Sequence, residues 1–261
     1  MPGIPAYTVK VNAKYPKETP AIRGILHLHD LQTGRLLALM DATYITAART
    51  ALTGALATDT LARTDARSLS IIGAGMQGEF HLRYIAMLRS LNRVTVFDIV
   101  RERADAFAKR LSQELKIPVI AQDSVASAVK DADVIVTATW AEQPFLFMPM
   151  LKTGTTIITI GPDEPNKCEV AASVIQHALF VCDDRECALK IGAIGGAGLG
   201  AAAIHAELGE ILAGEKSGRT NSEQLTVFGS VGLPFQDLVA AWHVYQKAQT
   251  KRIGEALDFL S

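Results

Sequence analysis

Residues 68–78 read Ser-Leu-Ser-Ile-Ile-Gly-Ala-Gly-Met-Gln-Gly, an apolar run that passes directly into three glycines spaced G-x-G-x-x-G. A helical pattern follows, and a second apolar run, residues 94–97, ends on Asp98. The order of strand, glycine turn, helix, strand and acid is the context in which this spacing indicates dinucleotide binding. The alternative interpretation is a glycine-rich turn that holds no ligand.

Each glycine of this turn has a predicted mechanical role. Gly73 allows the tight turn, Gly75 lets a pyrophosphate approach the backbone, and Gly78 lets the helix pack against the strand. The N-terminus of the helix offers N–H groups and a partial positive charge to phosphates. Asp98 is placed to accept hydrogen bonds from the adenosine ribose. These features predict a site that prefers NAD(H), with NADP(H) as the alternative because arginines follow Asp98 closely.

Length and composition exclude several classes of protein. A chain of 261 residues can build one large or two modest domains. Its net charge of −1 gives no reason to expect nucleic acid or an anionic membrane as a partner. No apolar run approaches the roughly 18 residues of a membrane helix, and the N-terminus does not resemble a signal peptide.

The cysteines and histidines indicate the cellular compartment of the protein and whether it has a metal site. The three cysteines are odd in number and lack C-x-x-C spacing, which favours a reduced, cytoplasmic protein. The six histidines are scattered along the chain, so the sequence predicts no metal site.

The segment before the glycine turn changes its periodicity at residue 41. Alternation of apolar and polar residues predicts an extended segment over 1–12 and a hairpin of two strands over 22–29 and 35–40. An alanine-rich helix is predicted over 42–61.

Two cations in this segment have two interpretations each. Arg49 lies in the middle of the alanine-rich helix, and Lys10 lies on a strand between apolar residues. Each can be a solvated or snorkelling side chain. Each can equally be a group that binds an anion, since a guanidinium fork matches a carboxylate or phosphate at two points.

Helices and strands continue to alternate after Asp98, as in a doubly wound parallel sheet. The predicted helices and strands cover residues 101–115, 119–120, 124–129, 133–139 and 155–160. Thr137 and Thr139 lie at the end of one strand, where ligands bind in such sheets, and are candidate neighbours of the cofactor. Asp163 follows the next strand and is a candidate general acid or base, although an aspartate before a proline is also typical of a turn.

The remainder completes an α/β pattern. It predicts a strand, a helical segment, a flexible glycine-rich loop, a helix, a strand and a long amphipathic helix, over residues 178–182, 184–191, 192–200, 204–212, 225–228 and 235–259.

Several of these motifs together resemble those of the ornithine cyclodeaminase/mu-crystallin family, over essentially all 261 residues. The motifs that carry the resemblance are residues 7–11, 33–41, 45–50, 72–77, 161–165, 206–210 and 226–230. Two of them, residues 75–77 and 206–210, look more like those of the imine-reductase and alanine-dehydrogenase members than those of strict ornithine cyclodeaminases.

The resemblance implies roles for the residues that would bind the substrate. Lys10 and Arg49 would hold the substrate carboxylate, and Lys10 would also lie near the reacting carbon. Asp163 matches the catalytic aspartate of the family. Val231 would lie beside the cofactor, next to the substrate.

The resemblance also implies a set of cofactor-binding residues. Thr50 would lie near the cofactor phosphates, and Met76 and Gln77 would contact the pyrophosphate between Gly73, Gly75 and Gly78. Further positions beside the cofactor are Gly161, Lys167 and Ser230.

The family fold implies a Rossmann domain with a doubly wound parallel sheet over residues 64–232. A second, smaller α+β domain, residues 1–63 plus 233–261, would carry the substrate and the interface of a homodimer. The family normally has several dozen further residues before the segment that opens this sequence, including another carboxylate-binding arginine. The resemblance therefore implies that this N-terminal segment is not part of the sequence.

The implied activity is NAD(P)-dependent chemistry at the α-carbon of an amino or imino acid. Reduction of a cyclic imine such as pyrroline-2-carboxylate would give proline and place the chain in proline metabolism. Conversion of ornithine to proline and ammonia, and alanine dehydrogenation, are the alternatives. A non-catalytic, mu-crystallin-like ligand-binding protein is the alternative from a different class.

Overall fold

A computed structural model describes residues 1–256, and these separate into two compact units. The smaller unit comprises Met1–Arg49 and the described residues from Leu233 onward, and the larger unit comprises Thr50–Gly232. The strands are β1 Ala6–Lys14, β2 Ile22–Asp30, β3 Leu36–Asp41, β4 Ser68–Ile72, β5 Arg93–Phe97, β6 Val119–Ala121, β7 Val134–Thr137, β8 Thr156–Thr159, β9 Leu179–Cys182, β10 Ala206–Glu207 and β11 Thr226–Gly229. The helices are α1 Ala42–Leu61, α2 Met76–Leu88, α3 Arg101–Leu115, α4 Val125–Val129, α5 Ala172–His177, α6 Arg185–Lys190, α7 Gly192–Gly196, α8 Leu208–Leu212 and α9 Pro234–Lys251.

The smaller unit is built on a three-stranded antiparallel sheet of order β1-β2-β3. One face of this sheet packs against the start of α1 and against α9, and its buried core includes Leu26, Leu28, Ile45 and Ala241. Alternate residues of a strand point to opposite sides, and on the other face of the sheet Val9, Val11 and Ile25 are exposed.

The larger unit is built on an eight-stranded sheet of order β10-β9-β11-β8-β7-β4-β5-β6 in which every pairing is parallel. Neighbouring residues of one strand enter different cores, since Ile71 packs with α2 and α3 and Ile72 packs with α4 and α5. Both faces are therefore covered by helices, as predicted for a doubly wound sheet.

The strand order positions a binding site. β4 lies between β5 and β7, so the chain runs outward from β4 in both directions. Ligands of such sheets bind outside the carboxyl ends of the strands where the order reverses. Here the ends of β4 and β7 are followed by the glycine turn and by Thr139.

Three predicted elements differ from the structure. The predicted loop over 192–200 contains α7, and the predicted helix over 204–212 begins as the short edge strand β10. α9 ends at Lys251, where Arg252 takes a left-handed conformation (φ 53°), and residues 257–259 of the predicted helix lie outside the described residues. Within residues 1–256, no helix combines the length and the apolar character that crossing a membrane requires.

Candidate functional site

The three glycines after β4 occupy positions with different steric demands. Gly73 has a φ of 106°, and a Cβ there would fall against the carbonyl oxygen of Ala138. A Cβ on Gly78 would fall against the carbonyl oxygen of Gly73. A Cβ on Gly75 would meet no atom within 4 Å. The turn is thus closed by two glycines and open at the third, which leaves room for a ligand at the backbone.

The N-terminus of α2 continues this opening. The N-cap residue is Gly75, so no side chain caps the first-turn N–H groups. Met76 and Gln77 are the first two residues of the helix, and the side-chain oxygen of Gln77 is buried without a hydrogen-bond partner in the described part of the chain. Uncapped N–H groups at a 13-residue helix beside an open glycine fit a pyrophosphate.

Asp98 is fixed at the end of β5 by two backbone groups. Its carboxylate accepts hydrogen bonds from the N–H of Ala74 (2.9 Å) and the N–H of Val100 (2.9 Å). The nearby Arg101 forms ion pairs with Asp105 (2.9 Å) and Asp123. The acid predicted to bind the ribose is therefore tied to the glycine turn, and one of the two neighbouring arginines is engaged by other carboxylates.

A buried carboxylate that sequence reasoning missed organises the loops after β7 and β8. Glu169 accepts hydrogen bonds from the hydroxyls of Thr137 (2.6 Å) and Thr159 (2.9 Å). It also accepts bonds from the hydroxyl (2.7 Å) and N–H (2.8 Å) of Thr139 and from the N–H of Gly161 (3.1 Å). Burial raises the pKa of Glu169, and the hydrogen bonds donated by the threonines oppose that rise.

This network explains the placement of three predicted cofactor residues. Thr137 is fully buried with its hydroxyl on Glu169, and Gly161 has no room for a Cβ beside the Glu169 carboxylate. Thr139 is partly exposed and its Cγ2 lies 3.4 Å from the position of a Cβ on Gly73. The structure thus brings Gly73, Thr139 and Gly161 together, and their contacts with a cofactor remain predictions.

Asp163 lies in the loop after β8, two residues beyond Gly161, with a third of its side chain (33%) exposed. The Lys167 ammonium lies 3.3 Å from the Asp163 carboxylate and 3.0 Å from that of Glu164. It also lies 5.2 Å from the ring centre of Trp140. An accessible carboxylate with a nearly buried ammonium beside it can accept, hold or donate a proton.

The turn after β11 is held by a second carboxylate that the sequence did not single out. Asp183 accepts hydrogen bonds from the hydroxyl of Ser230 (2.9 Å) and from the N–H groups of Val231 (3.0 Å) and Gly232 (2.8 Å). Ser230 is buried and Val231 is partly exposed. The two predicted residues therefore lie together on a turn whose backbone is held by Asp183, the residue that follows β9.

In the smaller unit, the two cations that are predicted to bind the substrate carboxylate both form ion pairs with one buried acid, Asp237. The Lys10 ammonium lies 2.6 Å from one oxygen of Asp237, and Arg49 Nε donates to the other at 3.1 Å. Arg49 also donates to the side-chain oxygen of Gln236 (3.1 Å). Thr50 follows Arg49 in α1 and is partly buried. Both cations are mostly buried (17% and 13% exposed), so neither is a simple surface charge.

Sequence reasoning missed Asp237 because its position has another ordinary explanation. It lies in the first turn of α9, where acids are favoured by the helix dipole alone. Only its burial, at 6% exposure, distinguishes it from a capping residue.

The parallel sheet with its glycine turn defines a dinucleotide-binding protein of the Rossmann type. The chain belongs to the ornithine cyclodeaminase/mu-crystallin family, which it matches over residues 3–252.

Three individual proteins are similar to this chain over nearly its whole length. The chain is 36% identical over 269 residues to a Delta(1)-pyrroline-2-carboxylate reductase of Bacillus cereus, covering 98% of this chain and 82% of that protein. The structure of an archaeal alanine dehydrogenase dimer with bound NAD matches with a TM-score of 0.93 and 32% identity, over 98% of this chain and 82% of that one. The structure of the Thermococcus litoralis Delta(1)-pyrroline-2-carboxylate reductase with NADH and L-proline matches with a TM-score of 0.91 and 33% identity, over 96% and 80%.

Proposed function

We propose that the protein is an NAD(P)-dependent reductase that converts the cyclic imine pyrroline-2-carboxylate to proline. The observation that carries this proposal is the similarity, at 36% identity over 98% of the chain, to a reductase of that substrate. The structure of a second such reductase, with NADH and L-proline, supports it. Two cations on one buried acid suit a carboxylate-bearing substrate.

The residues that fit a dinucleotide are those at the end of β4. The open position at Gly75 and the uncapped N-terminus of α2 would take the pyrophosphate, and Asp98 would take the ribose diol. We propose NAD(H) as the preferred cofactor, since the Asp98 carboxylate would repel a 2′-phosphate and Arg101 is held by two acids. NADP(H) remains the alternative. When bound, the reduced nicotinamide supplies a hydride to the imine carbon.

The protein's own groups would bind the substrate and move the proton. Lys10 and Arg49 hold the carboxylate, and the positive charge of Lys10 near the imine makes its carbon more electrophilic. Asp163 delivers the proton that the imine nitrogen gains as the C=N bond becomes CH–NH. Asp163 then regains its proton from water, to which a third of its side chain is exposed.

A panel of substrates tests this assignment. NADH oxidation is measured with pyrroline-2-carboxylate, with piperideine-2-carboxylate, and with pyruvate plus ammonia, and ornithine conversion is measured without added NADH. We expect the highest kcat/KM with pyrroline-2-carboxylate. A higher kcat/KM with pyruvate and ammonia would favour the second candidate, alanine dehydrogenase, which the match to the NAD-bound archaeal enzyme supports. Release of ammonia from ornithine would identify a cyclodeaminase, and NADH binding without any turnover would identify a ligand-binding protein.

We propose further that the chain works as a homodimer in the cytoplasm. The accessible face of the sheet in the smaller unit carries five exposed apolar side chains, Tyr7, Val9, Val11, Ile25 and Leu39. Contiguous apolar surface of this kind commonly marks an interface, and an alanine dehydrogenase of similar structure is a dimer. The three cysteines are free thiols, which supports a reducing compartment.

Sedimentation of a charged variant tests the homodimer. Val9→Glu would place a charge in the apolar face, so we expect a monomer at concentrations where the native protein is a dimer. Met87→Glu, which changes an exposed methionine of α2 (76% exposed), is the control and should leave the assembly unchanged. A native protein that sediments as a monomer would contradict the proposal.

A further inference from the structure

Asp237 joins three elements that are distant in sequence. It lies on the first turn of α9 and contacts Lys10 of β1 and Arg49 of α1, each with a different carboxylate oxygen. The adjacent Gln236 accepts a second hydrogen bond from Arg49 (3.1 Å) and one from the N–H of Leu233 (3.2 Å). The start of α9 therefore fixes both the charge and the orientation of the two cations.

Burial gives this contact its importance. Two cations brought together away from water repel each other, and each loses hydration that only an opposing charge or a hydrogen bond can replace. Burial lowers the pKa of Lys10, the hydrogen bond to Asp237 opposes that effect, and the charge of Arg49 adds to it. Without the acid, the ammonium would lose its proton more readily and Arg49 would lose the partner of its Nε.

The groups around Lys10 come from three elements. Asp237 faces it from α9, Arg49 and the Thr46 hydroxyl (3.4 Å) face it from α1, and Leu26 lies opposite it on β2. Among these, Asp237 carries the negative charge. Asp237 thus pairs with both cations, one on each of its carboxylate oxygens.

We propose that Asp237 is a positioning residue for the substrate carboxylate, which holds Lys10 and Arg49 in their binding orientation and keeps Lys10 charged. This inference rests on the proposed role of those two cations in binding the substrate. It extends that role to a residue that acts only through them.

The test is the steady-state kinetics of Asp237→Asn over a range of pH, with the panel substrate that gives the highest kcat/KM. The amide keeps the size of the side chain and removes its charge. We expect KM to rise about ten- to a hundredfold, the cost of misplacing a binding group, with a smaller change in kcat. We also expect the alkaline limb of the kcat/KM profile to move to lower pH, since Lys10 loses the carboxylate that favours its protonated form. Asp237→Glu, which restores the charge, should return the limb toward its native position.

Asp133→Asn is a matched control within the larger unit. Asp133 is also a buried aspartate (8% exposed) that pairs with one arginine and one lysine, Arg63 at 2.7 Å and Lys152 at 2.7 Å. Its loss should lower stability while KM and the pH limb stay native, because none of these groups belongs to the proposed binding site. NADH affinity, measured by fluorescence, reports whether each variant has folded.

Arg49→Ala separates the inference from the proposed function. If Arg49→Ala raises KM but Asp237→Asn changes neither KM nor the alkaline limb, Asp237 has no positioning role and the inference fails alone. If Arg49→Ala leaves KM unchanged, the proposed carboxylate site itself is wrong. An Asp237→Asn protein that no longer binds NADH has misfolded, and Asp237→Glu then decides. A folded Asp237→Glu protein with a raised KM and a nearly native alkaline limb supports the proposal, because the charge is kept and the carboxylate is displaced. A native KM, or a limb that shifts although the charge is kept, overturns it.

Discussion

The glycine turn of the larger unit, with the strands on each side of it and Asp98, comes from one continuous segment, residues 68–98. The cluster of Lys10, Arg49 and Asp237 in the smaller unit instead joins Lys10 to a residue 227 positions later. The turn presents backbone N–H groups and open space at Gly75. The cluster presents side-chain charges that depend on one another. The two regions therefore differ in what a substitution can remove: shape and backbone access in the first, charge balance in the second.

The same contrast appears in how acids are used. In the larger unit Glu169 and Asp183 accept hydrogen bonds from hydroxyls and N–H groups and fix loops at the ends of strands. In the smaller unit Asp237 pairs with two cations. A carboxylate that holds a loop can be lost without changing the charge of a binding group, but one that balances two cations cannot.

The largest expected effect lies in the larger unit. Asp163→Asn removes the proposed proton donor without changing the glycine turn, so turnover should fall by about 10²–10⁴-fold while NADH affinity stays within a few-fold. The measurements are kcat and the fluorescence of bound NADH on the same preparation. Loss of both would mean that Asp163 shapes the loop, and loss of neither would favour a ligand-binding protein.

Removal of one cation from the smaller unit should weaken the binding of the substrate and leave cofactor binding unchanged. Arg49→Ala should lower kcat/KM by an amount that corresponds to about 2–5 kcal/mol of lost transition-state stabilisation, the range for one partner of a buried charge pair. Arg23→Ala, at an exposed ion pair with Glu18 (51% exposed), is the control and should be neutral. A kcat/KM within a few-fold of native, in a folded protein, would make Arg49 a structural residue.

The sequence predicted local structure well where one periodicity or motif was sufficient. The helices over 42–61 and 101–115 have the predicted bounds, and the strands on either side of the glycine turn are confirmed. The short helix α7 was missed because three of its five residues are glycine, which disfavours a helix in sequence. α9 ends earlier than predicted, and the sequence did not show this because apolar residues continue past Lys251.

The acids that organise the site could not be found in this way. Glu169, Asp183 and Asp237 each contact residues from distant parts of the chain, and none of them belongs to a local pattern. An acid at a helix start or after a strand is ordinary in sequence. Only the fold reveals that Glu169 and Asp237 are buried, and which groups donate hydrogen bonds to all three acids.

A substitution of Glu169 should have an intermediate effect, on stability, and it tests whether this acid holds the loops after β7 and β8. Glu169→Gln places an amide N–H₂ against a backbone N–H, that of Thr139 or that of Gly161, whichever oxygen it replaces. The free energy of unfolding should therefore fall by about 1–3 kcal/mol. Chemical denaturation measures this, with Glu114→Gln, an exposed acid paired with Arg83, as a control expected within about 0.5 kcal/mol of native. Equal stability of the native protein and Glu169→Gln would contradict the network.

The pH dependence of stability follows from the same residue. Because the pKa of Glu169 is raised in the folded state, the folded protein binds this proton more tightly than the unfolded chain. Its contribution therefore decreases as the pH rises from the ordinary glutamate range, near 4.5, through the raised value. The difference in unfolding free energy between native protein and Glu169→Gln should change over that window, and a constant difference would argue against the shift.

The smallest expected effect concerns the choice of cofactor. Asp98→Ser removes the charge that would repel a 2′-phosphate, so preference should move toward NADPH by about tenfold, or about 1.4 kcal/mol. The ratio of kcat/KM for NADH and NADPH measures it. Asp65→Ser, at a largely exposed acid (77%), is the control. A native protein that already prefers NADPH would contradict the role of Asp98.

Transfer of deuterium from the cofactor to the product tests the proposed reaction most directly. The protein is incubated with pyrroline-2-carboxylate and NADH that carries deuterium at the transferred position of nicotinamide C4, and the product is analysed by mass spectrometry and NMR. We predict proline with one deuterium at the α-carbon, formed about 10²–10⁴-fold more slowly by Asp163→Asn under the same conditions. Unlabelled proline, or label that exchanges with water, would contradict direct reduction of the imine.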